Sequence, residues 1–325
     1  MENLRVIKED AVFTLEQFDF LSHDAVSRVA SYVFLPKCDS PRGILQISHG
    51  MCEYVLRYED FAREMCKKGF IVCGNDHIGH GQTAPADELL GYTASSGGAA
   101  IMVGDARMLS GIVRNRFGGL PLILIGHSMG SFVARKYIEL YGNELAAAVI
   151  VGTGGPESPT ALGKALAKLV IKTKGEMHRS KLIDSIAFGS YNKKFKDEKD
   201  AVSWLTRDKS VREKYVSDKY CSFKFTARAF YDLFDLLGSV SGKDWAKKLP
   251  RELPILMISG DADPVGNYGK GVEKVYKRME KAGVNVTMRL YHGARHELFN
   301  ETSRGEIIKH TLEWIDDVLD ELSEN

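Results

Sequence analysis

Gly126-His127-Ser128-Met129-Gly130 is the stretch that decides the fold. It follows the apolar run Pro121-Leu122-Ile123-Leu124-Ile125 and precedes Ser131 to Ile138, where apolar residues recur at helical spacing. Strand, sharp turn and helix around a G-x-S-x-G pattern put the serine on a strained turn with its hydroxyl above the sheet. The glycines on either side let strand and helix approach closely. The next residue, Met129, presents its backbone N–H at a helix N-terminus, where partial positive charge stabilises an oxyanion.

A serine hydroxyl is a poor nucleophile alone and needs a histidine and a carboxylate, in this fold in the chain order Ser, Asp or Glu, His. The buried-strand run Pro254 to Ile258 ends in Ser259-Gly260-Asp261-Ala262-Asp263-Pro264, with two aspartates. The alternating run Val284 to Tyr291 ends in His292-Gly293-Ala294-Arg295-His296-Glu297. Asp263 is favoured over Asp261, because Pro264 fixes the chain just after it while Asp261 is placed to bond turn amides. His296 is favoured over His292, because a loop beyond Gly293 can bring its ring over the sheet. A second oxyanion donor is expected after the strand Gly43 to Ile47, where Ser48-His49-Gly50-Met51 lets the Met51 N–H face Ser128.

These residues resemble a known family. His49-Gly50-Met51-Cys52-Glu53, Arg57-Tyr58, Asn75-Asp76-His77-Ile78-Gly79-His80-Gly81 and the Ser128 elbow are similar to the monoglyceride lipase and lysophospholipase branch of the α/β-hydrolases. That branch is often grouped with serine aminopeptidase-like hydrolases. Gly260 to Pro264 and Gly293 to Glu297 continue the match in order. The resemblance implies an α/β-hydrolase fold with a mostly parallel, eight-stranded sheet. It also implies a Ser128–Asp263–His296 triad with Met51 and Met129 as oxyanion donors, and no cofactor or metal. Cys52 and Tyr54 depart from the family loop His-Gly-x-Gly-Glu-His, and His77-Ile78 depart from Asp-x-Arg-Gly-His-Gly; both changes fall near the leaving-group side.

With 325 residues, 44% hydrophobic and 10% aromatic, the chain can bury a large core, and its net charge of +1 gives no footprint for nucleic acid. The N-terminus starts acidic without a signal-peptide core, and no stretch approaches a membrane span. Five cysteines without a spaced framework suit a reducing compartment, so a cytoplasmic protein is expected. His77 and His80 stand at i, i+3 without a carboxylate or cysteine cluster, which points to a structural loop rather than a metal site.

Along the chain, a hairpin (Phe13 to Leu21, Arg28 to Leu35) leads into strands alternating with helices. Residues 153–249 interrupt that rhythm and read as a helical cap between core segments 1–152 and 250–325. Within it, lysines of Leu162 to Lys172 recur every four residues opposite a leucine face, a pattern fitting either a solvated helix or contact with an anionic membrane surface. Eleven aromatics follow, from Phe188 to Phe234. Most are expected to pack the cap itself, and a minority to line an acyl tunnel. The resulting expectation is a serine hydrolase acting on a small-molecule ester of an apolar acyl group, with monoacylglycerol or lysophospholipid first. A short-chain esterase or serine peptidase is the rival within the fold, and a ligand receptor on the same scaffold is the rival outside enzymology.

Overall fold

The computed structural model describes residues 1–156, 160–198 and 200–324. In chain order its main elements are β1 (Glu2–Glu9), β2 (Phe13–Leu21), β3 (Arg28–Pro36), β4 (Gly43–Ser48), α1 (Glu59–Lys67), β5 (Phe70–Asn75), α2 (Gly98–Arg116), β6 (Leu122–His127) and α3 (Met129–Tyr141). There follow β7 (Ala147–Val151), α4 (Thr160–Lys174), α5 (Lys181–Phe188), α6 (Lys209–Ser217), α7 (Ala227–Ser239), β8 (Ile255–Gly260), α8 (Lys270–Lys281), β9 (Val286–Tyr291) and α9 (Arg304–Glu324). The strands form one sheet in the order β1-β2-β3-β5-β4-β6-β7-β8-β9. Pairing is antiparallel from β1 through β3 to β5 and parallel from β5 onward.

The central strands are apolar throughout because both faces are covered. Ile44, Leu124, Ile150 and Met257 point into a core shared with α2, α3, α7 and α8. Their neighbours Leu45, Ile123, Val149 and Leu256 point into a second core with α1 and α9. Period-two side-chain alternation on a sheet buried on both sides gives these continuous hydrophobic runs.

The sheet has nine strands among the described residues, not the expected eight. The extra strand is β1, an edge strand exposed along its whole length and paired only with β2. Its sequence, Glu2-Asn3-Leu4-Arg5-Val6-Ile7-Lys8-Glu9, has no buried face to impose alternation, so the periodicity that marks the other strands is missing. Charged residues and two register shifts blunt the edge against further pairing.

After β5 the chain crosses to the other side of β4 to form β6, so the loops leaving β4 and β6 border a crevice at the carboxyl ends of the strands. Between β7 and β8, the described residues hold helices and turns but no strand. There α4 lies on α7 through Gly163 and Ala167, and a Cβ on Gly163 would come within 2.7 Å of the Phe234 ring. The leucine face read from Leu162 to Lys172 is therefore only partly buried. Small residues make the close contact, while Leu162 and Leu169 stand 66% and 56% exposed.

The turn from β6 to α3 is among the tightest junctions of the fold. A Cβ on Gly130 would sit 1.9 Å from the Ser48 carbonyl oxygen and 2.5 Å from that of His49, backbone atoms that cannot step aside. Gly130→Ala is expected to destabilise the protein by roughly 3 kcal/mol or more, or to prevent its folding. Gly111, in the middle of α2, has open space around its missing Cβ. Gly111→Ala should raise stability by about 0.5–1 kcal/mol. Urea midpoints of the two variants moving in the same direction would refute this account of the elbow.

Candidate active site

Ser128 sits between β6 and α3 at φ 53°, ψ −119°, left-handed backbone that a non-glycine residue adopts only under constraint. Its amide donates to the Val151 carbonyl at 3.0 Å. The Ser131 hydroxyl donates to the Ser128 carbonyl and accepts from the Thr153 hydroxyl at 2.8 Å.

Asp263, fully buried in the loop after β8, has one carboxylate oxygen 2.9 Å from Nδ1 of His296, while the other accepts the Val265 amide at 2.8 Å. A carboxylate only accepts, so Nδ1 carries a proton, and in the neutral ring Nε2 is the bare nitrogen. His296 is buried after β9 and lines the same cavity as Ser128, its ring flanked by those of Trp204 and His127 at 5.1 and 4.8 Å. The two competing residues pair with each other elsewhere. Asp261 lies 2.8 Å from His292 Nδ1 and accepts the Gly293 amide at 2.7 Å, and the His292 side chain is fully exposed.

Gly50 and Met51, after β4, line the cavity opposite Met129, the first residue of α3. A Cβ on Gly50 would come within 3.0 Å of Ser128 Cβ, which fixes how closely this loop approaches the elbow. The Gly50 amide donates to Glu53, which also receives the Tyr58 hydroxyl and the His127 ring, each at 2.8 Å. Arg57 donates to the other Glu53 oxygen at 2.9 Å and makes a two-pronged bond to Glu297 at 2.9 and 2.8 Å. His127 Nε2 faces the His296 carbonyl at 3.3 Å. Burial alone would raise the Glu53 carboxyl, but the His127 ring and Arg57 guanidinium outweigh it and hold Glu53 well below the usual carboxylate range. Burial likewise pushes the His127 imidazole down, and the Glu53 carboxylate reverses this, so it titrates above an ordinary histidine.

Sequence reasoning assigned no role to this Glu53–His127–Arg57–Glu297 cluster. Its members lie up to 244 positions apart (Glu53 to Glu297), and the available signal was that each stands within a few residues of a proposed site residue, in a motif that carries the resemblance. The histidines of the Asp76 loop are also in place: the His77 and His80 rings pack at 4.4 and 5.2 Å from His49, beneath the Gly50 turn.

The cavity over Ser128 measures about 470 Å³. Six of the eleven aromatics, Phe188, Tyr191, Trp204, Tyr215, Phe223 and Phe234, line it, more than the minority expected. The segment between β7 and β8 wraps around the space instead of closing on itself. Phe225 and Phe230 do pack its interior. Among the described residues the lining has one lysine or arginine, Lys224, which lies 3.7 Å from Asp184.

A family model described as Serine aminopeptidase, S33, matches residues 39–303. The monoacylglycerol lipase of Mycolicibacterium smegmatis is 28% identical over 293 residues, covering 89% of this chain and 92% of that protein. The human monoglyceride lipase is 28% identical over 267 residues, 81% of this chain and 78% of that protein. The crystal structure of a thermostable carboxyl esterase from Bacillus coagulans in complex with glycerol superposes with a TM-score of 0.87 at 28% identity, over 94% of this chain and 99% of that one. The fold is that of the α/β-hydrolases, and since the family model spans most of its length, the chain belongs to the Serine aminopeptidase, S33, family.

Proposed function

We propose that this protein hydrolyses carboxylic esters of apolar acyl groups, monoacylglycerols first among them, with Ser128, His296 and Asp263 as its catalytic triad. The observation that carries the reading is the Asp263–His296 bond, made by a histidine that lines the same largely apolar cavity as the elbow serine. His296 takes the Ser128 proton as the oxygen attacks the ester carbonyl. The Met51 and Met129 amides hold the tetrahedral oxyanion, and Asp263 supports the imidazolium. The alcohol leaves with the proton from His296, and water repeats the sequence on the acyl-enzyme. Residues 153–249 act as the cap that holds the acyl chain.

The charges of the lining support an uncharged leaving group. A phosphate-bearing lysolipid would need free cations, and Lys224 already faces Asp184. A peptidase taking a free α-amine would need an unengaged carboxylate, yet Glu53 and Glu297 are both bound by Arg57. The similar proteins named monoacylglycerol and monoglyceride lipases agree with this choice.

No described helix is long and apolar enough to cross a membrane. The outward Leu162 and Leu169 of α4 and Leu182 of α5, interspersed with Lys168, Lys172 and Lys181, instead fit transient contact with an anionic lipid surface. Five free cysteines, four of them buried, fit a reducing compartment, and we place the protein in the cytoplasm.

Four outcomes are expected. A fluorophosphonate probe should label the wild type at Ser128, and Ser128→Ala should abolish labelling and turnover. Asp263→Asn should lower kcat by orders of magnitude, about 10⁴ where a triad aspartate is lost, and Asp261→Asn far less; the reverse ranking would move the role to Asp261. In a panel of substrates, kcat/KM should climb with acyl length by up to about 0.8 kcal/mol per methylene until the cavity is full. Glycerol esters should outrun phosphate-bearing ones, whereas a peak on acetyl esters or aminoacyl amides would overturn the acyl-lipid reading. Finally, the double variant Leu162→Glu, Leu169→Glu should lose sedimentation with anionic vesicles while keeping hydrolysis of a soluble short ester. Unchanged sedimentation would rule out α4 as the contact.

A further inference from the structure

The proposed role of Met51 requires its N–H to point at the reacting oxygen, and nothing in the Met51 side chain can enforce that. The peptide joining Gly50 to Met51 is what must be aimed. The Gly50 carbonyl lies 2.8 Å from Nδ1 of His49. His49 is fully buried and absent from the cavity lining, its ring packed against those of His77 and His80 in tilted and edge-on contacts. Gly50 and Met51, in contrast, both line the cavity. In a trans peptide the C=O and N–H point in opposite directions, and there is no cis peptide bond among the described residues, Gly50 and Met51 included. A ring gripping the Gly50 carbonyl from the buried side therefore turns the Met51 N–H toward the cavity and Ser128.

The grip works in one protonation state only. The Gly50 carbonyl can only accept, so Nδ1 must carry a proton. On the far side of the ring the His77 amide donates to Nε2 at 2.9 Å, so Nε2 must be bare. His49 is thus a neutral imidazole locked in one tautomer, and burial supports this by lowering its titration to about 4. The preceding peptide is fixed as well, since the Gly50 amide donates to Glu53. Both peptide planes around a residue without a side chain are pinned from outside.

We infer that His49 is a positioning residue for ester hydrolysis: its Nδ1–H holds the Gly50 carbonyl so that the Met51 amide faces the oxyanion, and the His77 amide selects the tautomer that allows it. The inference rests on the proposed reaction at Ser128. Asparagine and glutamine separate the two bonds, because an Asn amide reaches roughly the Nδ1 position and a Gln amide roughly the Nε2 position. His49→Asn keeps the grip on Gly50, His49→Gln keeps only the partner of His77, and His49→Leu keeps neither.

The experiment measures kcat and KM of the three variants on one soluble ester. It also measures their affinities for an alkyl trifluoromethyl ketone, which becomes tetrahedral on Ser128, and for a non-hydrolysable ether analogue of the substrate. His49→Leu and His49→Gln should lower kcat by about 10²–10³, the usual loss when one oxyanion donor goes, with KM little changed. His49→Asn should recover most of it. Affinity for the ketone should fall in step with kcat, and affinity for the ether should not move. If His49→Leu does not fold, the ranking of Asn above Gln decides alone. Gln equal to or better than Asn, or ketone and ether affinities falling together, would overturn the inference. If the wild-type protein is not labelled at Ser128 by a fluorophosphonate, the proposed reaction itself fails. If it is labelled and kcat ignores His49, only the inference falls.

Discussion

Ser128 keeps a backbone conformation that costs of order 1–3 kcal/mol, and the surrounding structure is built to hold it there. Its amide is tied to β7 and its carbonyl is held by Ser131. On either side, Gly126 and Gly130 allow β6, α3 and the end of β4 to approach to distances no side chain would permit. The constraint does two jobs with one geometry. It lifts the hydroxyl clear of the sheet, and it presents the first amide of α3 beside it, where that N–H has no partner within the helix. A larger residue at Gly126 would push α3 off β6, and one at Gly130 would separate the elbow from the end of β4 and the Gly50 loop, the other wall of the site.

The loops meeting over that elbow come from four strands, and buried charge holds them in register. Glu53 binds the Gly50 amide and the His127 ring, and Arg57 joins Glu53 to Glu297, the neighbour of His296. Burying such groups is expensive, and an apolar cluster of the same volume would often be as stable. What the ion pairs add is direction. Each bond here has a fixed donor and a fixed acceptor, so the loops after β4, β6 and β9 can dock in only one arrangement. Removing one partner would leave the others buried and unsatisfied, a much larger loss than the net contribution of the cluster.

The parts of this architecture that were legible in the sequence are those with local causes. Strands buried on both faces write unbroken apolar runs, and the elbow writes its glycines two residues either side of Ser128. The order of Ser128, Asp263 and His296 along the chain follows from their strands, and the structure joins the last two. What escaped has long-range causes. Strand β1 exists only because β2 offers it an edge, so its own pattern says nothing. The exposure of Leu162 and Leu169 depends on Gly163 and Ala167 facing α7, a contact decided by a helix more than sixty residues later in the chain. The Glu53–Arg57–Glu297 cluster is invisible for the same reason: a charge buried by folding has the same letter as a charge in water.

Histidine shows the limit most sharply, because one residue type carries three proton inventories within this site. His296 faces a carboxylate at Nδ1 and lines the cavity, so its neutral form holds its proton at Nδ1 and offers a lone pair at Nε2. His49 faces a carbonyl on one side and an amide N–H on the other, so it is neutral and fixed. His127 faces the Glu53 carboxylate at Nδ1 and the His296 carbonyl at Nε2, two acceptors, and can satisfy both only with two protons. That agrees with its rise above an ordinary histidine. The three states are mutually consistent: the cation at His127 is balanced by Glu53, the neutral ring at His49 needs no counterion, and the bare nitrogen of His296 is the one left facing the cavity. The chemistry of the site is set less by which residues are histidines than by which of their neighbours can only give, and which can only receive, a hydrogen bond.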